Sequence, residues 1–591
     1  MKVLFINPSC LEPRVTDDDA LQVPIGLYYL AASLMDKGIQ AGILNLAPAG
    51  PANQSKTANK SQYPDPVTLF KDAIKREQPD VLGFSVTNPS RVNAVECARI
   101  ARQLLPECLI VFGGPAPTFM VKHLFNTCPA LDVIIKGEGE ISTDRLVTAL
   151  ASHKKAEGKI HDRKTLAPEL THKLEDIPGI IFRQGNDFHD SGTAQLVQDL
   201  DTLPHPSKYF TYQHLAMSRG CPGRCTFCGS PKFWGNTSVR RHSPDWFFTE
   251  IKALAQKGVS HFFISDDTFT METGAVKALC LKIINAGLKI TWNAISRVDY
   301  IDESILPLMR QAGCIQISFG IESGSDKIKK VLGKPIDNET CIAVFNLVRS
   351  YGILPRAYFI YGSPGETDDT IQDSVELMER LAPLSTVFYM LVTFPGTRLY
   401  KRAIDKGWTQ EEVWKQDIED LPWFELDKSM DFNQVKKWGD RLRKAFFTNI
   451  ATFVDRIELK PEKALFPFHS DFLSRLAMTF FQGEYAQDSR IENPERIAAN
   501  LFEKALDYHP DVRAYYGLAM ILQKNRNFTK VISLLEKGLN HFPENKDLSV
   551  CMGVCLMNTG NFKQALTFFI PFDTDPALGH YITICKQRIN S

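Results

Sequence analysis

Three cysteines, Cys221, Cys225 and Cys228, stand in the run Arg219-Gly220-Cys221-Pro222-Gly223-Arg224-Cys225-Thr226-Phe227-Cys228-Gly229, a C-x3-C-x2-C spacing with Phe227 just before the third. Three thiolates can hold three corners of a four-iron cluster and leave the fourth iron open, whereas a cluster built only to pass electrons usually takes four. An open iron can bind a small chelating molecule, so the spacing points to a [4Fe–4S] centre that takes part in chemistry. Gly220, Gly223 and Gly229 suit a loop that wraps closely around such a group. The competing use is a zinc knuckle, which needs a second ligand pair nearby. The nearest later candidates, His242 and Cys280, stand at no zinc-like spacing.

Further chemistry-bearing runs follow the loop: Ser265-Asp266-Asp267-Thr268-Phe269, Trp292-Asn293-Ala294-Ile295-Ser296-Arg297, Ser318-Phe319-Gly320-Ile321-Glu322-Ser323, Phe359-Ile360-Tyr361-Gly362-Ser363-Pro364-Gly365-Glu366-Thr367 and Phe394-Pro395-Gly396-Thr397. With the cysteine loop, they resemble the radical S-adenosylmethionine (radical SAM) superfamily. The resemblance implies a [4Fe–4S] cluster on the three cysteines and SAM at its open iron. It places Asp266 and Asp267 near the SAM amino group; their plainer use is to cap the next helix. It sets Arg297 to meet the SAM carboxylate bidentately, against the alternative of a surface salt bridge. Glu322, with Ser323 beside it, falls where the SAM ribose or amino group lies. Tyr361 and Gly362 fall beside the adenine, where a glycine lets backbone approach a flat ring. No catalytic acid or base is assigned.

Before the loop, Pro24-Ile25-Gly26-Leu27-Tyr28-Tyr29-Leu30-Ala31, Phe112-Gly113-Gly114-Pro115-Ala116-Pro117-Thr118 and Ile135-Lys136-Gly137-Glu138-Gly139-Glu140 resemble the cobalamin-binding domain of cobalamin-dependent radical SAM enzymes. This implies cobalamin against Gly113, Gly114, Gly137 and Glu138. One departure stands out. Cobalamin mutases present a lower axial histidine from D-x-H-x-x-G, but around His123 the Asp and Gly places hold Val121 and Asn126. His123 is therefore not expected to ligate cobalt.

The family resemblance implies reductive cleavage of SAM and removal of hydrogen from an unactivated carbon, with cobalamin-dependent C-methyl transfer as the leading outcome. The alternative is a cyclase or carbon–carbon coupling enzyme of the same family, acting on a lipid or a tetrapyrrole. It also implies an electron donor such as flavodoxin or ferredoxin. A non-enzymatic adaptor would need no three-cysteine loop.

The elements that must position these residues can be read from periodicity. Strand–helix alternation over residues 1–150 argues a doubly wound parallel sheet, an α/β fold whose ligands bind at the carboxyl ends of the strands. Residues 151–205 read as a connector, with Ile180-Ile181-Phe182-Arg183 as one strand of a small hairpin. Over 206–425 the alternation resumes and fits a partial (β/α)6 radical SAM barrel, with its chemistry at the carboxyl mouths. Residues 426–490 form an all-α extension rich in phenylalanine (Phe446, Phe447, Phe453, Phe466, Phe468, Phe472, Phe480, Phe481). That stretch reads as core packing or, more sharply, as an apolar substrate entrance at the barrel mouth. Residues 491–591 repeat: Leu501-Phe502-Glu503-Lys504-Ala505-Leu506 is echoed by Leu534-Leu535-Glu536-Lys537-Gly538-Leu539, and Asn527-Phe528 by Asn561-Phe562. The period is similar to the ~34 residues of tetratricopeptide (TPR) repeats, which would offer a protein partner a surface.

Composition sets outer bounds. Lys+Arg and Asp+Glu are both 68, so net charge gives no hint of nucleic acid or an anionic membrane. The 13 cysteines suggest no disulfide framework and fit a reducing cytoplasm. No run approaches the ~18 apolar residues of a membrane span, leaving only peripheral membrane contact.

Overall fold

The computed structural model describes residues 1–10, 23–47, 65–157, 161–162, 165–166, 168–184 and 187–590. The first sheet has the spatial order Gln40–Asn45, Lys2–Asn7, Val81–Ser85, Leu109–Gly113, Val133–Ile135, all parallel. Helices Ile25–Asp36, Pro66–Glu77, Arg91–Leu104 and Glu140–Glu157 cover it. Strands buried on both faces need continuous apolar runs, which Val3-Leu4-Phe5-Ile6 and Leu109-Ile110-Val111-Phe112 supply. The first strand lies between the second and third, so the chain leaves it in both directions. At such a switch point a crevice opens beyond the strands' carboxyl ends. The expected hairpin is present as Ile180–Gln184 and Asp187–Asp190. It extends the same sheet in antiparallel pairing beside Val133–Ile135, so part of the connector belongs to the first sheet.

The second sheet is parallel throughout, in sequential order: His214–Leu215, His261–Ile264, Thr291–Ser296, Cys314–Glu322, Leu354–Tyr361, Ser385–Met390. Helices Pro244–Gln256, Thr273–Asn285, Asn338–Ser350 and Asp368–Leu381 alternate with the strands. Their starts are written in the sequence. Ser243 accepts from Trp246 N with Pro244 in the first turn, and Thr367 and Thr370 form a reciprocal capping box. Unlike the first sheet, these strands alternate. In Thr291–Ser296 the buried Trp292, Ala294 and Ser296 face the helices, while the half-buried Thr291, Asn293 and Ile295 share the inner face.

Several contacts lock the two sheets together. Tyr28 stacks on Tyr212 at 4.4 Å between ring centroids. Tyr29 Oη and His242 Nε2 are hydrogen-bonded at 3.0 Å. The buried Arg91 guanidinium donates to the carbonyls of Trp414, Gln416 and Ile418.

The remainder is helical. Phe432–Asp455 packs on Asp368–Leu381 and Ser385–Met390; Phe466–Phe481 packs on Pro494–Tyr508, and antiparallel helices continue to Asn590. Phe446, Phe453, Phe472 and Phe480 are buried in the core shared with the second sheet. Phe472 lies with Gly352 and Leu354, where a strand begins. The phenylalanines therefore pack on the outer wall and near the amino ends of the strands, not over their carboxyl mouths. No helix among the described residues is long and apolar enough to cross a membrane.

Candidate functional site

The three thiols sit together in a loop fixed at both ends. Before it, Asp266 accepts from Met217 N at 2.8 Å, from Ser218 N at 2.6 Å and from the Ser218 hydroxyl. After Cys225, Thr226 N donates to Leu332 O, Thr226 Oγ1 donates to Val331 O, and Leu399 N donates to Thr226 O. A Cβ built on Gly223 would stand 3.3 Å from Cys221 Sγ and 3.8 Å from Cys225 Sγ, so a side chain there would crowd the sulfurs. Gly223 N donates to Cys221 Sγ at 3.3 Å and Ser230 N to Cys228 Sγ at 3.5 Å. Burial raises the Cys225 thiol, and it raises that of Cys228 to about 11, so metal binding must drive their deprotonation. Among the described residues, no three His, Cys, Asp or Glu side chains gather as they would round a single ion. A four-iron cluster asks for a wider set, each thiolate on its own iron. The donor set fits it.

Charged side chains ring the thiols. Arg297 donates from Nε and Nη2 to Asp299 at 2.9 and 2.6 Å, and its Nη1 lies 3.3 Å from the Cβ position of Gly223. It is thus half engaged, with one edge toward the loop. Glu322 is buried and ion-paired with Lys334 at 2.7 Å. Its backbone is left-handed, φ 65°, where the strand's register shifts between Gly320 and Glu322. A non-glycine residue held there carries about 1–3 kcal/mol of strain, and such strain clusters at ligand sites. Lys334 and Arg297 act on the Cys225 thiol to lower its pKa, while Glu322 raises it. These groups suit SAM, whose carboxylate, amino group and ribose need both charge signs within one small volume.

Other expected SAM residues turn elsewhere. Asp266 spends its carboxylate on the loop anchor, and burial pushes its pKa up to about 6. Neither Asp266 nor Asp267 caps the turn that follows, Phe269–Met271. Ser323 is fully buried; its hydroxyl accepts from Ser325 N and lies 3.2 Å from that of Ser374, facing the Asp368–Leu381 helix. Tyr361 points to the Phe432–Asp455 helix, where its hydroxyl accepts from Arg443 at 3.0 Å. Gly362 does hold a tight turn, φ 79°, with its N–H donating to Glu366 Oε2 at 2.5 Å. Glu366 also accepts from Ser363 N; its Oε1 is buried without a partner, and burial lifts its pKa to about 7.

A cavity of about 340 Å³ joins the two sheets. Gly83, Gly113, Gly114 and Gly137 line it from the first sheet's strands and their carboxyl ends, and Ser218, Arg219, Ser265 and Asp267 from the second unit. It continues as an apolar slot between Val3, Phe5, Leu27, Leu30 and Leu146. A Cβ on Gly114 would stand 2.9 Å from Val86 O, and one on Gly137 3.4 Å from Phe233 O. This glycine cradle, with an apolar slot behind it, fits a broad flat cofactor such as cobalamin. Glu138 lines the same cavity, but its carboxylate is already engaged. It is buried, paired with Arg219 and with Arg240 at 2.8 Å, and accepts from Val197 N. Arg219 also reaches Glu140 at 2.7 Å, which ties the cradle to the cysteine loop. Asp267 lines the cavity and accepts from the Ser230 hydroxyl at 2.6 Å. His123 is outside the lining; burial lowers its pKa to about 4.

Sequence reasoning missed Lys334, Arg219, Arg240 and Glu366. For Arg219 a signal existed, a basic residue at the loop's edge complementary to Glu138 and Glu140. Lys334 had none.

Comparison with known proteins agrees with this geometry. Residues 215–378 match the Radical SAM superfamily and residues 19–147 the B12 binding domain. An uncharacterized methyltransferase of Pyrococcus horikoshii, PH0819, is 28% identical over 64% of this chain and 79% of its own. The anaerobic magnesium-protoporphyrin IX monomethyl ester cyclase of Cereibacter sphaeroides is 28% identical over 57% of this chain and 55% of its own. The structure of OxsB, a cobalamin-dependent S-adenosylmethionine radical enzyme with aqua-cobalamin and S-adenosylmethionine bound, superposes with TM-score 0.55 at 16% identity, covering 95% of this chain and 84% of that one. The chain thus combines a radical SAM domain with a B12-binding domain. It is an enzyme whose cofactors are a [4Fe–4S] cluster, SAM and cobalamin.

Proposed function

We propose that this chain is a cobalamin-dependent radical SAM C-methyltransferase acting on an unactivated carbon of an organic substrate. The observation that carries the reading is the single cavity walled on one side by the glycine cradle and on the other by the segment leading into the cysteine loop. When bound, the cluster and SAM supply one-electron cleavage and hydrogen abstraction, and cobalamin carries the methyl group; the hard chemistry belongs to the cofactors. The chain's own residues bind, orient and enclose. Cys221, Cys225 and Cys228 hold the cluster. Arg297 turns its free edge to the SAM carboxylate, and the Glu322–Lys334 pair meets the amino group or ribose. Arg219 and Arg240, clamped on Glu138, fix the cobalamin-binding unit over the loop. Phe233 and Trp234 close the cavity wall and keep water from a reactive centre.

At finer grain, the second sheet is read as an open (β/α)6 barrel and the last helices as TPR-like repeats able to dock a protein partner, with flavodoxin or ferredoxin supplying the electron. The domains are taken as 1–150, 151–205, 206–425, 426–490 and 491–591. Likeness to a cyclase over more than half the chain keeps ring closure as the second reading.

The test is anaerobic reconstitution followed by turnover with methyl-deuterated SAM. Extracts of deletion cells, which accumulate the substrate, serve as the acceptor. Label carried into one extract compound, with iron and cobalamin both bound, is the expected result. A compound that loses hydrogen without gaining label favours the cyclase. A chain that binds neither cofactor overturns both readings.

A further inference from the structure

Beneath the carboxyl ends of the second sheet lies a second cavity of about 290 Å³, at the low end of ligand pockets. Its lining alternates along the strands: His261, Phe263 and Ser265 on one, Asn293 and Ile295 on the next, Gln316 and Ser318, then Arg356 and Tyr358. The lining mixes these polar groups with Ile264, Ala294 and Ile315, where the first cavity is mostly glycine and hydrocarbon. Among the residues lining it, Arg356 alone carries a fixed charge, and none is an acid. Arg356 donates from Nε to Ser385 Oγ at 3.0 Å, which aims the rest of the guanidinium. The acids near it, Asp471 and Glu484, lie in the pocket on its far side. Asp471 is already held by Arg310, Arg475 and Arg513. Asn293 Oδ1 is buried without a partner. Buried polar atoms in native folds are paired, so unpaired ones lining a cavity call for a ligand or water.

We propose that this cavity is the substrate pocket and that Arg356 grips an oxyanion, a carboxylate or a phosphate, at the substrate's far end. The inference rests on the radical SAM reading. It adds a length. Across the register shift Glu322 pairs with Phe359, three residues beyond Arg356 on the neighbouring strand. At about 3.3 Å per residue, the oxyanion sits on the order of 10 Å from the level of Glu322 and the cysteine loop. The substrate is then a polar, extended molecule with its acid at one end and its reacting carbon at the other, and Asn293 accepts one of its N–H or O–H groups on the way. An arginine fork is suited to this task, because it binds a planar or tetrahedral oxyanion through two parallel hydrogen bonds.

The experiment uses the full chain loaded with cluster and cobalamin, whose spectra are recorded first. Hexanoate, hexyl phosphate and the neutral hexanamide are titrated by saturation-transfer NMR. The expected result is binding of at least one anion, with hexanamide weaker by tenfold or more. Whichever anion wins names the acid. Arg356→Met should weaken the anion by roughly tenfold to a hundredfold, the loss of a charged hydrogen bond, and Arg356→Lys should recover part of it. Equal binding of hexanoate, hexyl phosphate and hexanamide, no binding of any, or an anion affinity unchanged in Arg356→Met would overturn the proposal. The wild-type comparison of charged and neutral probes decides even if a variant fails to fold. Missing cluster and cobalamin spectra would instead bring down the proposed function, so the two failures are told apart.

Discussion

The two cavities meet at Ser265, which lines both, and are built on opposite plans. In the first, recognition is by vacancy: glycines leave room, aliphatic side chains make a slot, and the charged groups nearby, Glu138, Arg219 and Arg240, are spent on one another. In the second, recognition is by polar groups: Asn293 Oδ1 is left without a partner, and Arg356 brings the only fixed charge in the lining. A rigid ring of fixed shape can be held by a mould. A small flexible molecule is told from its rivals by hydrogen bonds, because a site left with unpaired polar groups rejects the analogue that lacks them.

The sharpest way to separate the plans is Cys225→Ala. Iron content and SAM cleavage should vanish, while cobalamin uptake persists, because the cradle owes nothing to the thiols. Loss of cobalamin in that variant would show that the cavities do not act independently. Next in size is the clamp between them. Arg219→Met strands the buried Glu138 and Glu140 with one partner fewer, and breaking such a pair costs about 3–5 kcal/mol. Thermal unfolding of Arg219→Met, Glu138→Gln and the double variant should give a double cost well below the sum of the singles. Strict additivity would mean the pair carries no coupling.

A smaller effect tests the mould alone. Gly26 lines the first cavity with nothing within 4 Å of its Cβ position. Gly26→Phe should fill the slot and weaken cobalamin roughly tenfold to a hundredfold, the scale of overpacking by 1–3 kcal/mol, with iron binding and melting temperature unchanged. Uptake equal to wild type would remove the slot from the site.

The smallest effect is in pH. Glu366 titrates near 7 rather than at the usual 4.5, because burial disfavours its charge. The stability gained by keeping it protonated is complete below about 4.5 and is lost as pH rises through 7. Glu366→Gln lacks that loss, so the variant's stability relative to wild type should grow between pH 5 and pH 8, by at most a few kcal/mol. Parallel stability curves would show that Glu366 is charged throughout.

The sequence made the thiol loop and both parallel sheets legible, because their signals are local: cysteine spacing, and apolar runs divided by helical stretches. It misplaced side chains whose direction depends on a turn. Ser323 and Tyr361 neighbour Glu322 and Gly362 in the chain, but period-two alternation sends adjacent residues to opposite faces. The left-handed backbone at Glu322 adds a further twist that no residue type announces. Asp266 looked like a ligand because it ends a strand. Its partners, Met217 and Ser218, lie some fifty residues earlier, and their amides are invisible in a sequence. Of the two readings of the phenylalanine-rich stretch, core packing holds and the entrance at the mouth does not, since an amphipathic helix announces that it packs but not against which end of the sheet.

The loop's two-sided anchorage has a consequence for its life with oxygen. Asp266 grips the segment before the cysteines, and Leu332, Val331 and Leu399 grip Thr226 between the second and third. The entropy of bringing three thiols together is met by ordinary protein hydrogen bonds when the chain folds, not by iron when it binds. In a zinc finger, losing the metal is losing the fold; here the bonds that hold the loop run between protein atoms and use no iron, so losing the cluster to oxygen is expected to leave the fold's anchors in place.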